Sequence, residues 1–264
     1  MRCPYQEGAF PFPVKYGYAL VGEPLGDKDE TKRAPVFVLH PHQEFTSVRG
    51  DDVHPLPEDV PPRRAVLAAN METALTATWD SGVGAGDHVL VVGGGVVGLL
   101  TAFVAARMPG TVVTVADILP ERAEVVERFG ARFCLPEAAP GDRDVVFHAS
   151  ASEAGLACAL GSAGQGATVV EMSWYGSRTV RAPLGGAFHS RRLKLISSQV
   201  GRIPESRALR WSYARRLATA LSLLAEPALD ALITDEVAFA DLPERLPAIL
   251  APSASGLMTV VRYD

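Results

Sequence analysis

The sequence contains little cysteine, and what it has is scattered. Among its 264 residues the three cysteines are Cys3, Cys134 and Cys158, and no two of them form a Cys-x-x-Cys pair. This count excludes a four-cysteine zinc cluster and a disulfide framework, so a reducing, cytoplasmic location fits best. The first residues contain no apolar run, and we therefore expect no secretory signal.

The chain also lacks a large excess of charge and an unbroken hydrophobic span. Its formal net charge of -5 argues against nucleic acid as a general partner. The uncharged stretch 89–106 approaches the length of about 18 residues that marks a membrane-spanning candidate, but Gly93, Gly94 and Gly95 interrupt it. We therefore expect no membrane partner. A content of 48% hydrophobic and 21% charged residues is typical of a globular protein.

Two different patterns follow one another along the chain. The first eighty residues are rich in proline and glycine and predict loops, short strands at 34–38, 44–48 and 53–57, and a helix at 61–79. From Gly86, strand and helix candidates alternate, which is typical of a parallel sheet with crossover helices. The strand candidates are 88–92, 112–116, 131–135, 144–148, 167–172 and 193–197, and the helices between them are 98–107, 121–129 and 153–160.

The last sixty residues change pattern again. Apolar residues at helical spacing predict one long helix at 205–224, with Leu209, Tyr213, Leu217, Ala220 and Leu224 facing the core. A strand at 231–237, a helix at 242–250 and a final strand at 257–262 are expected to follow.

A glycine-rich turn joins the first of the alternating strands to its helix. Gly93, Gly95 and Gly98 have the Gly-x-Gly-x-x-Gly spacing, followed by the apolar helix candidate. A dinucleotide pyrophosphate needs a tight turn, close approach to backbone amides and the positive end of a helix. Gly93 permits the turn, Gly95 lets the phosphates approach and Gly98 lets the helix pack on the strand. Val96 and Val97 would present their amides to the diphosphate.

An acidic residue closes the next strand and completes this pattern. Asp117 lies about 20 residues beyond the glycines, the spacing at which a carboxylate accepts hydrogen bonds from the adenosine ribose. The same carboxylate would repel a 2′-phosphate, so NAD(H) is favoured over NADP(H). A methyltransferase has a similar turn, but its acid usually ends the first strand, where this sequence has Val92. We predict an α/β fold with a Rossmann doubly wound parallel sheet at 81–205 and a smaller β-rich lobe at 1–80.

The ends of the fourth and fifth strand candidates provide further cofactor-binding candidates. Ligands bind beyond the carboxyl ends of parallel strands, so the strand ends His148-Ala149-Ser150 and Met172-Ser173-Trp174-Tyr175 should line the cofactor. Within them we select Ala149, Ser150, Ser173 and Trp174 as cofactor-binding candidates. Trp174 and the following Tyr175 would flank the nicotinamide, with hydrophobic packing or a dimer seam as the alternative.

Further segments add to the glycine turn and to Asp117 with Arg122: they are 13–22, 53–57, 65–77 and 84–89. Through these residues the sequence resembles, over nearly the whole chain, the medium-chain dehydrogenases/reductases, the superfamily of zinc alcohol dehydrogenases and quinone reductases. The resemblance implies a GroES-like catalytic lobe at 1–80 to which the segment 206–264 returns. It also implies a small-molecule substrate, a contact between Arg122 and the cofactor, and a homodimer formed through the edge strand near 193–200.

Two departures from this family concern its catalytic zinc. The family's zinc-binding histidine lies in a Gly-His-Glu motif that here reads Gly17-Tyr18-Ala19. The segment that carries the family's catalytic cysteine is missing, so the N-terminal lobe is expected to be shortened. We therefore expect no metal. An alternative zinc site stays open at His40, His42 and Glu44, which would share one face of a strand.

Without zinc, a side chain must manage the proton of the reacting oxygen. Tyr18 is the first candidate because it replaces the missing ligand, and His40 and Glu72 follow. The sequence thus predicts a zinc-independent, NAD(H)-dependent oxidoreductase acting on an alcohol or carbonyl, or on an activated double bond. A second hypothesis is a non-catalytic, dinucleotide-binding regulatory or structural protein derived from a dehydrogenase.

Overall fold

The computed structural model describes residues 15–25, 34–251 and 253–263, which divide into two compact units. Unit 1 contains the residues up to Glu72 and those from Ser212 onwards, and unit 2 contains Thr73–Trp211. The sequence had placed these borders near residues 80 and 205. Cys3 and residues 10–14, which were expected to form loops, lie outside the described residues.

The described residues form strands and helices in both units. In chain order they are β1 (Leu20–Gly22), β2 (Val36–Val38), β3 (His54–Pro55), α1 (Pro62–Ala65), α2 (Ala68–Ser81), β4 (His88–Val92), α3 (Val96–Ala105), β5 (Val112–Ala116), α4 (Ala123–Arg128), β6 (Arg132–Cys134), β7 (Arg143–His148), α5 (Glu153–Ser162), β8 (Ala163–Glu171), α6 (Ala187–Ser190), β9 (Lys194–Ser197), α7 (Glu205–Ala208), α8 (Tyr213–Leu223), β10 (Ile233–Ala238), α9 (Leu242–Ile249) and β11 (Met258–Arg262).

Unit 2 is built on one parallel sheet with the strand order β6-β5-β4-β7-β8-β9. Every neighbouring pair in it is parallel. This is the doubly wound order, in which the chain reverses direction across the sheet between its first and fourth strands, here β4 and β7. The predicted Rossmann-type α/β fold is therefore confirmed, and its ligand crevice lies beyond the carboxyl ends of β4 and β7.

The core of unit 2 explains why these strands form. β4 and β5 are runs of apolar and β-branched residues that are almost wholly buried, as parallel strands covered on both faces must be. On one face α5 packs through Leu156, Ala159 and Leu160 against Leu90 and Val146. Helix α3 is buried along most of its length. The uncharged stretch 89–106 is therefore a buried strand followed by a buried helix, and no helix among the described residues is long and apolar enough to cross a membrane.

Unit 1 contains two small sheets. Strands β1, β2 and β3 form an antiparallel sheet, and β10 pairs with β11 in parallel.

The guanidinium of Arg64 is buried and holds three chain segments together. It donates to both carboxylate oxygens of Asp230 at 2.8 Å and to the carbonyls of Leu224 and Ala225 at the end of α8. These bonds satisfy carbonyl groups that a helix end leaves without partners.

The expected strand at 44–48 is wrong, because these residues form no ladder in the structure. Their side chains and neighbours bond locally instead. The Gln43 side chain donates to the Phe45 carbonyl, and the Thr46 hydroxyl bonds to His40. Phe45, an apolar residue of this segment, is 75% exposed. The β-like residues at 44–48 therefore form a loop.

The expected single helix at 205–224 is also wrong, since the structure breaks it into α7 and α8. Ser212 is the N-cap of α8 and accepts a hydrogen bond from the Arg215 amide, which starts a new helix at that point. Leu209 lies before the break and is 98% exposed, and Tyr213 is 47% exposed. The remaining members of the predicted core stripe, Leu217, Ala220 and Leu224, are buried.

Candidate functional site

The turn after β4 brings two strand ends into contact. Gly93 has φ +110°, a conformation that side chains disfavour, and its amide donates to the Ala116 carbonyl at 2.9 Å. A Cβ on Gly93 would lie 2.8 Å from the Ser150 nitrogen. The end of β7 therefore packs directly against this turn, and only glycine fits between them.

Gly98 and Gly95 have opposite surroundings at the start of α3. A Cβ on Gly98 would lie 1.9 Å from the Gly93 carbonyl oxygen, so this glycine allows α3 to begin against the end of β4. Gly95 is the exposed N-cap of α3, and no atom lies within 4 Å of the place where its Cβ would stand. No side chain caps the helix, and its first turn contains no acidic residue. Val96 and Val97, the first residues of α3, are half-exposed. The N-terminal end of this helix is therefore accessible to an anion.

The Asp117 carboxylate faces this turn. One of its oxygens accepts a hydrogen bond from the Gly94 amide at 2.5 Å, and the other accepts from the Leu119 amide at 2.9 Å. The carboxylate therefore stands at the carboxyl end of β5, beside the glycine turn, where an adenosine ribose would be bound. Arg122 lies in the short 3-10 turn that follows and is 8% exposed.

A second polar group lies at the ends of β7 and β8. We call the side chains of His148, Ser150, Glu171, Ser173 and Tyr175 the strand-end cluster. His148 is wholly buried, and its Nδ1 lies 2.8 Å from a carboxylate oxygen of Glu171. Its Nε2 lies 2.8 Å from the Ser150 hydroxyl. One imidazole therefore connects the two strand ends.

The electrostatics of the strand-end cluster favour an ionised carboxylate at its centre. Burial alone would raise the pKa of Glu171, but hydrogen bonds from His148 and from the Ser173 amide lower it below its ordinary value. Tyr175 donates its hydroxyl to the same carboxylate at 3.2 Å. Burial and the negative charge of Glu171 raise the pKa of Tyr175 to about 12. The phenol is thus a fixed donor to Glu171.

The other predicted residues at these strand ends are partly accessible. Ala149 and Ser150 are half-exposed, and the Ser173 hydroxyl accepts from the Ala151 amide at 3.1 Å. Trp174 is 73% exposed. The strand-end pattern predicts His148 among the residues that line the cofactor, but it does not identify Glu171. The signal for Glu171 was a polar residue that ends an apolar strand, at the edge where ligands bind.

The catalytic candidates named from the sequence all lie in unit 1. Tyr18 is 55% exposed, and its hydroxyl lies 3.5 Å from the side-chain oxygen of Asn70. Both residues line a cavity of about 570 Å³ within unit 1, together with His42 and Tyr263. His42 bonds to the Tyr263 hydroxyl at 3.1 Å, and burial lowers its pKa. Tyr18 therefore borders a cavity with several polar groups.

His40 and His42 do not share the face of a strand, because this segment is irregular. The ring nitrogens of His40 lie 3.0 Å from the Pro41 carbonyl and 3.0 Å from the Thr46 hydroxyl. Across the described residues, no group of three or more His, Cys, Asp or Glu side chains is placed to hold a metal ion. The alternative site at His40, His42 and Glu44 is therefore not formed in the described structure.

Glu72 lies in a buried ion pair. Its carboxylate accepts from the Arg216 guanidinium at 2.9 Å, and both side chains are 5% exposed. Burial raises the pKa of Glu72, and the charge of Arg216 opposes that rise. The structure thus places this candidate in a buried ion pair of unit 1.

Known proteins share both the sequence pattern and the architecture of this chain. Residues 67–171 match the family described as Alanine dehydrogenase/PNT, C-terminal domain. The D-guloside 3-dehydrogenase of Escherichia coli (strain K12) is 27% identical over 214 residues, or 76% of this chain. The match spans only 61% of the length of that relative.

Solved structures show the same fold over most of the chain. Galactitol-1-phosphate dehydrogenase from Escherichia coli superposes with a TM-score of 0.73 at 17% identity, covering 94% of this chain and 84% of that one. A protein from Sinorhizobium meliloti 1021, described as a zinc-binding dehydrogenase bound to NADP, superposes with a TM-score of 0.67 at 22% identity, covering 85% and 64%. This chain has the fold of the medium-chain dehydrogenases/reductases, as the sequence resemblance predicted.

The two glycines of α3 provide a direct test of the turn. We expect Gly98→Ala to destabilise the protein by about 3 kcal/mol or more, because the new methyl group meets a backbone oxygen that cannot move aside. Gly95→Ala is the matched control, with φ -76° and open space around it, and should change stability by less than about 1 kcal/mol. Urea unfolding followed by circular dichroism measures both. Equal effects would contradict the close contact of α3 with β4.

The contribution of the Glu72–Arg216 ion pair to stability is tested with a single and a double substitution. Glu72→Ala takes a carboxylate from a buried guanidinium, and we expect it to cost about 3 kcal/mol, whereas the double change of Glu72 and Arg216 to Met should recover most of that loss. Glu124→Ala removes an exposed pair with Arg128 and should cost less than about 0.5 kcal/mol. Urea midpoints report each difference. A harmless Glu72→Ala would mean that the pair does not stabilise unit 1.

Proposed function

We propose that unit 2 binds NAD(H) and that the protein is an oxidoreductase acting on an alcohol or carbonyl group of a small molecule. The observation that carries this proposal is the Asp117 carboxylate bonded to the Gly94 amide beside the open start of α3. A relative named for a guloside and a structural neighbour named for a galactitol phosphate support a polyol-like substrate.

The preference for NAD(H) over NADP(H) rests on charge. A carboxylate at the end of β5 accepts hydrogen bonds from both hydroxyls of an adenosine ribose, but it would repel a phosphate on the 2′ position. Arg122, which follows Asp117 closely in sequence, is buried. We propose that it supports the adenosine side of the site.

The residues of unit 2 would bind and orient the cofactor. Amides at the start of α3, including those of Val96 and Val97, would hold the diphosphate, because the helix dipole and unpaired N–H groups attract negative charge there. Ala149, Ser150, Ser173 and Trp174 would line the nicotinamide half. The bound cofactor supplies the hydride chemistry.

We propose that the reaction does not require zinc and that Tyr18 handles the proton of the reacting oxygen. The support is its replacement of the family's ligand histidine and its position on the cavity of unit 1 beside Asn70. The bonds of His40 within its loop and the ion pair of Glu72 make these two weaker candidates. By analogy with the family, we further propose a cytoplasmic homodimer formed through the edge strand β9.

The cofactor proposal is tested at Asp117. We expect Asp117→Asn to weaken NADH binding by about tenfold or more, since hydrogen bonds to a charged acceptor are the strong ones. It should also reduce the discrimination against NADPH. Titration of NADH and NADPH by tryptophan fluorescence gives both affinities. Glu121→Gln, an exposed acid four residues further on, is the matched control and should bind as the unaltered protein does. Unchanged NADH affinity in Asp117→Asn would refute the assigned site.

The catalytic proposal is tested at Tyr18. With polyols, polyol phosphates and their oxidised forms as substrates, we expect Tyr18→Phe to lower kcat by about a hundredfold or more while NADH affinity stays the same. Tyr16→Phe changes an exposed phenol two residues away and should have no effect. Full activity in Tyr18→Phe would exclude the phenol as proton carrier. Tight NADH binding without turnover would instead favour the non-catalytic dinucleotide-binding protein.

A further inference from the structure

The hydrogen bonds around His148 have a single direction. Carboxylate oxygens of Glu171 only accept, so His148 donates from Nδ1. In a neutral imidazole Nε2 is then an acceptor, and the Ser150 hydroxyl must donate to it. Ser152 accepts the Gly155 amide and keeps its own proton, which it can donate to Ser150 at 3.0 Å. In this arrangement Ser152 donates to Ser150, Ser150 donates to His148, and His148 donates to Glu171.

The space around this chain of bonds is closed to other side chains. A Cβ on Gly155 would lie 2.0 Å from the Ser150 hydroxyl oxygen and 2.8 Å from Nε2 of His148. Gly155 stands in the first turn of α5 and is buried. The bare backbone at this position leaves room only for the Ser150 and His148 side chains in their observed arrangement.

Ser150 also borders the dinucleotide turn. Its backbone nitrogen and Cα lie within 2.9 Å of the place where a Gly93 Cβ would stand, and the residue as a whole is partly exposed. It follows β7, on the opposite side of the reversal point from β5 and Asp117. A dinucleotide lying across this crevice places its adenosine half near Asp117 and its second ribose near Ser150.

We propose that Glu171 and His148 fix the Ser150 hydroxyl as a hydrogen-bond acceptor, so that this point of the site selects a hydroxyl donor of the second ribose of the bound dinucleotide and disfavours an anionic group. Ser150 is the contact residue, and His148 and Glu171 are positioning residues that act through it. The inference rests on the proposed dinucleotide function, and it adds which ligand group this half of the site recognises.

The experiment compares two ligands that differ by this ribose, ADP and ADP-ribose, at pH 8 by isothermal titration calorimetry. We expect ADP-ribose to bind the unaltered protein on the order of three- to tenfold more tightly than ADP, the effect of one net hydrogen bond. Ser150→Ala should abolish this ratio and leave the affinity for ADP unchanged. The constant ADP affinity shows that the fold and the adenosine half are intact.

Glu171→Gln tests the positioning role without altering the contact residue. The Ser173 amide needs an acceptor at 2.8 Å, so the carbonyl oxygen of the new amide should face Ser173, and its NH₂ group should face His148. The Tyr175 hydroxyl, which donates to that carboxylate position in the unaltered protein, also lies 3.3 Å from Nδ1 of His148 and can donate there instead. Nδ1 of His148 then becomes an acceptor, Nε2 carries the proton, and Ser150 must turn its own proton outwards. We expect the ADP-ribose to ADP ratio to fall towards one. Glu153→Gln changes a carboxylate three residues from Ser150 in sequence that pairs with Arg181, and it should leave the ratio unchanged.

Imidazole ¹⁵N chemical shifts give a readout that a purely structural role would not change. We expect His148 to be neutral and protonated on Nδ1 in the unaltered protein, and on Nε2 in Glu171→Gln. A doubly protonated His148, or an unchanged ligand ratio in Ser150→Ala, would overturn the inference while NADH binding stood. If neither ADP nor NADH binds the unaltered protein, the proposed function itself fails.

Discussion

The contact between Gly98 and the Gly93 carbonyl oxygen is the constraint on which the candidate site depends. Since no Cβ separates them, α3 begins directly against the end of β4. This position leaves Gly95, Val96 and Val97 at the open edge of the sheet and brings the Gly94 amide within reach of Asp117. A helix displaced by one methyl group would separate these amides from the carboxylate. The packing of one glycine therefore sets the geometry of both recognition elements.

The order of the strands extends this local geometry to the whole crevice. β4 lies between β5 and β7, so the glycine turn after β4 has Asp117 on one side and Ser150 on the other. The chain thus presents a carboxylate to one half of an elongated ligand and a serine hydroxyl to the other. Both side chains are held by bonds from backbone amides or buried side chains, which keeps them in place before any ligand arrives.

Local patterns were sufficient where local physics decides the structure. The predicted strands 88–92 and 112–116 match β4 and β5, because a buried parallel strand needs an apolar run and its ends are marked by glycine and aspartate. The same reasoning failed at 205–224, where periodicity continued across Ser212 and gave no sign that its side chain caps a new helix. It could not identify the pairing of Glu72 with Arg216 or of His148 with Glu171 either. Those partners lie 144 and 23 positions apart, and only the folded chain brings them together.

Three glycines of unit 2 share one property that reaches beyond binding. At positions 93, 98 and 155, any added side-chain carbon would come within 3 Å of another atom of the turn or of the strand-end cluster. They stand on three different elements, and each encloses a different part of the crevice. Tolerance to substitution around this turn and cluster should therefore be lower at these three buried glycines than in the apolar core, where exchanges of similar volume can be absorbed. At these positions the lack of room for a Cβ would exclude substitutions before any requirement of ligand binding did.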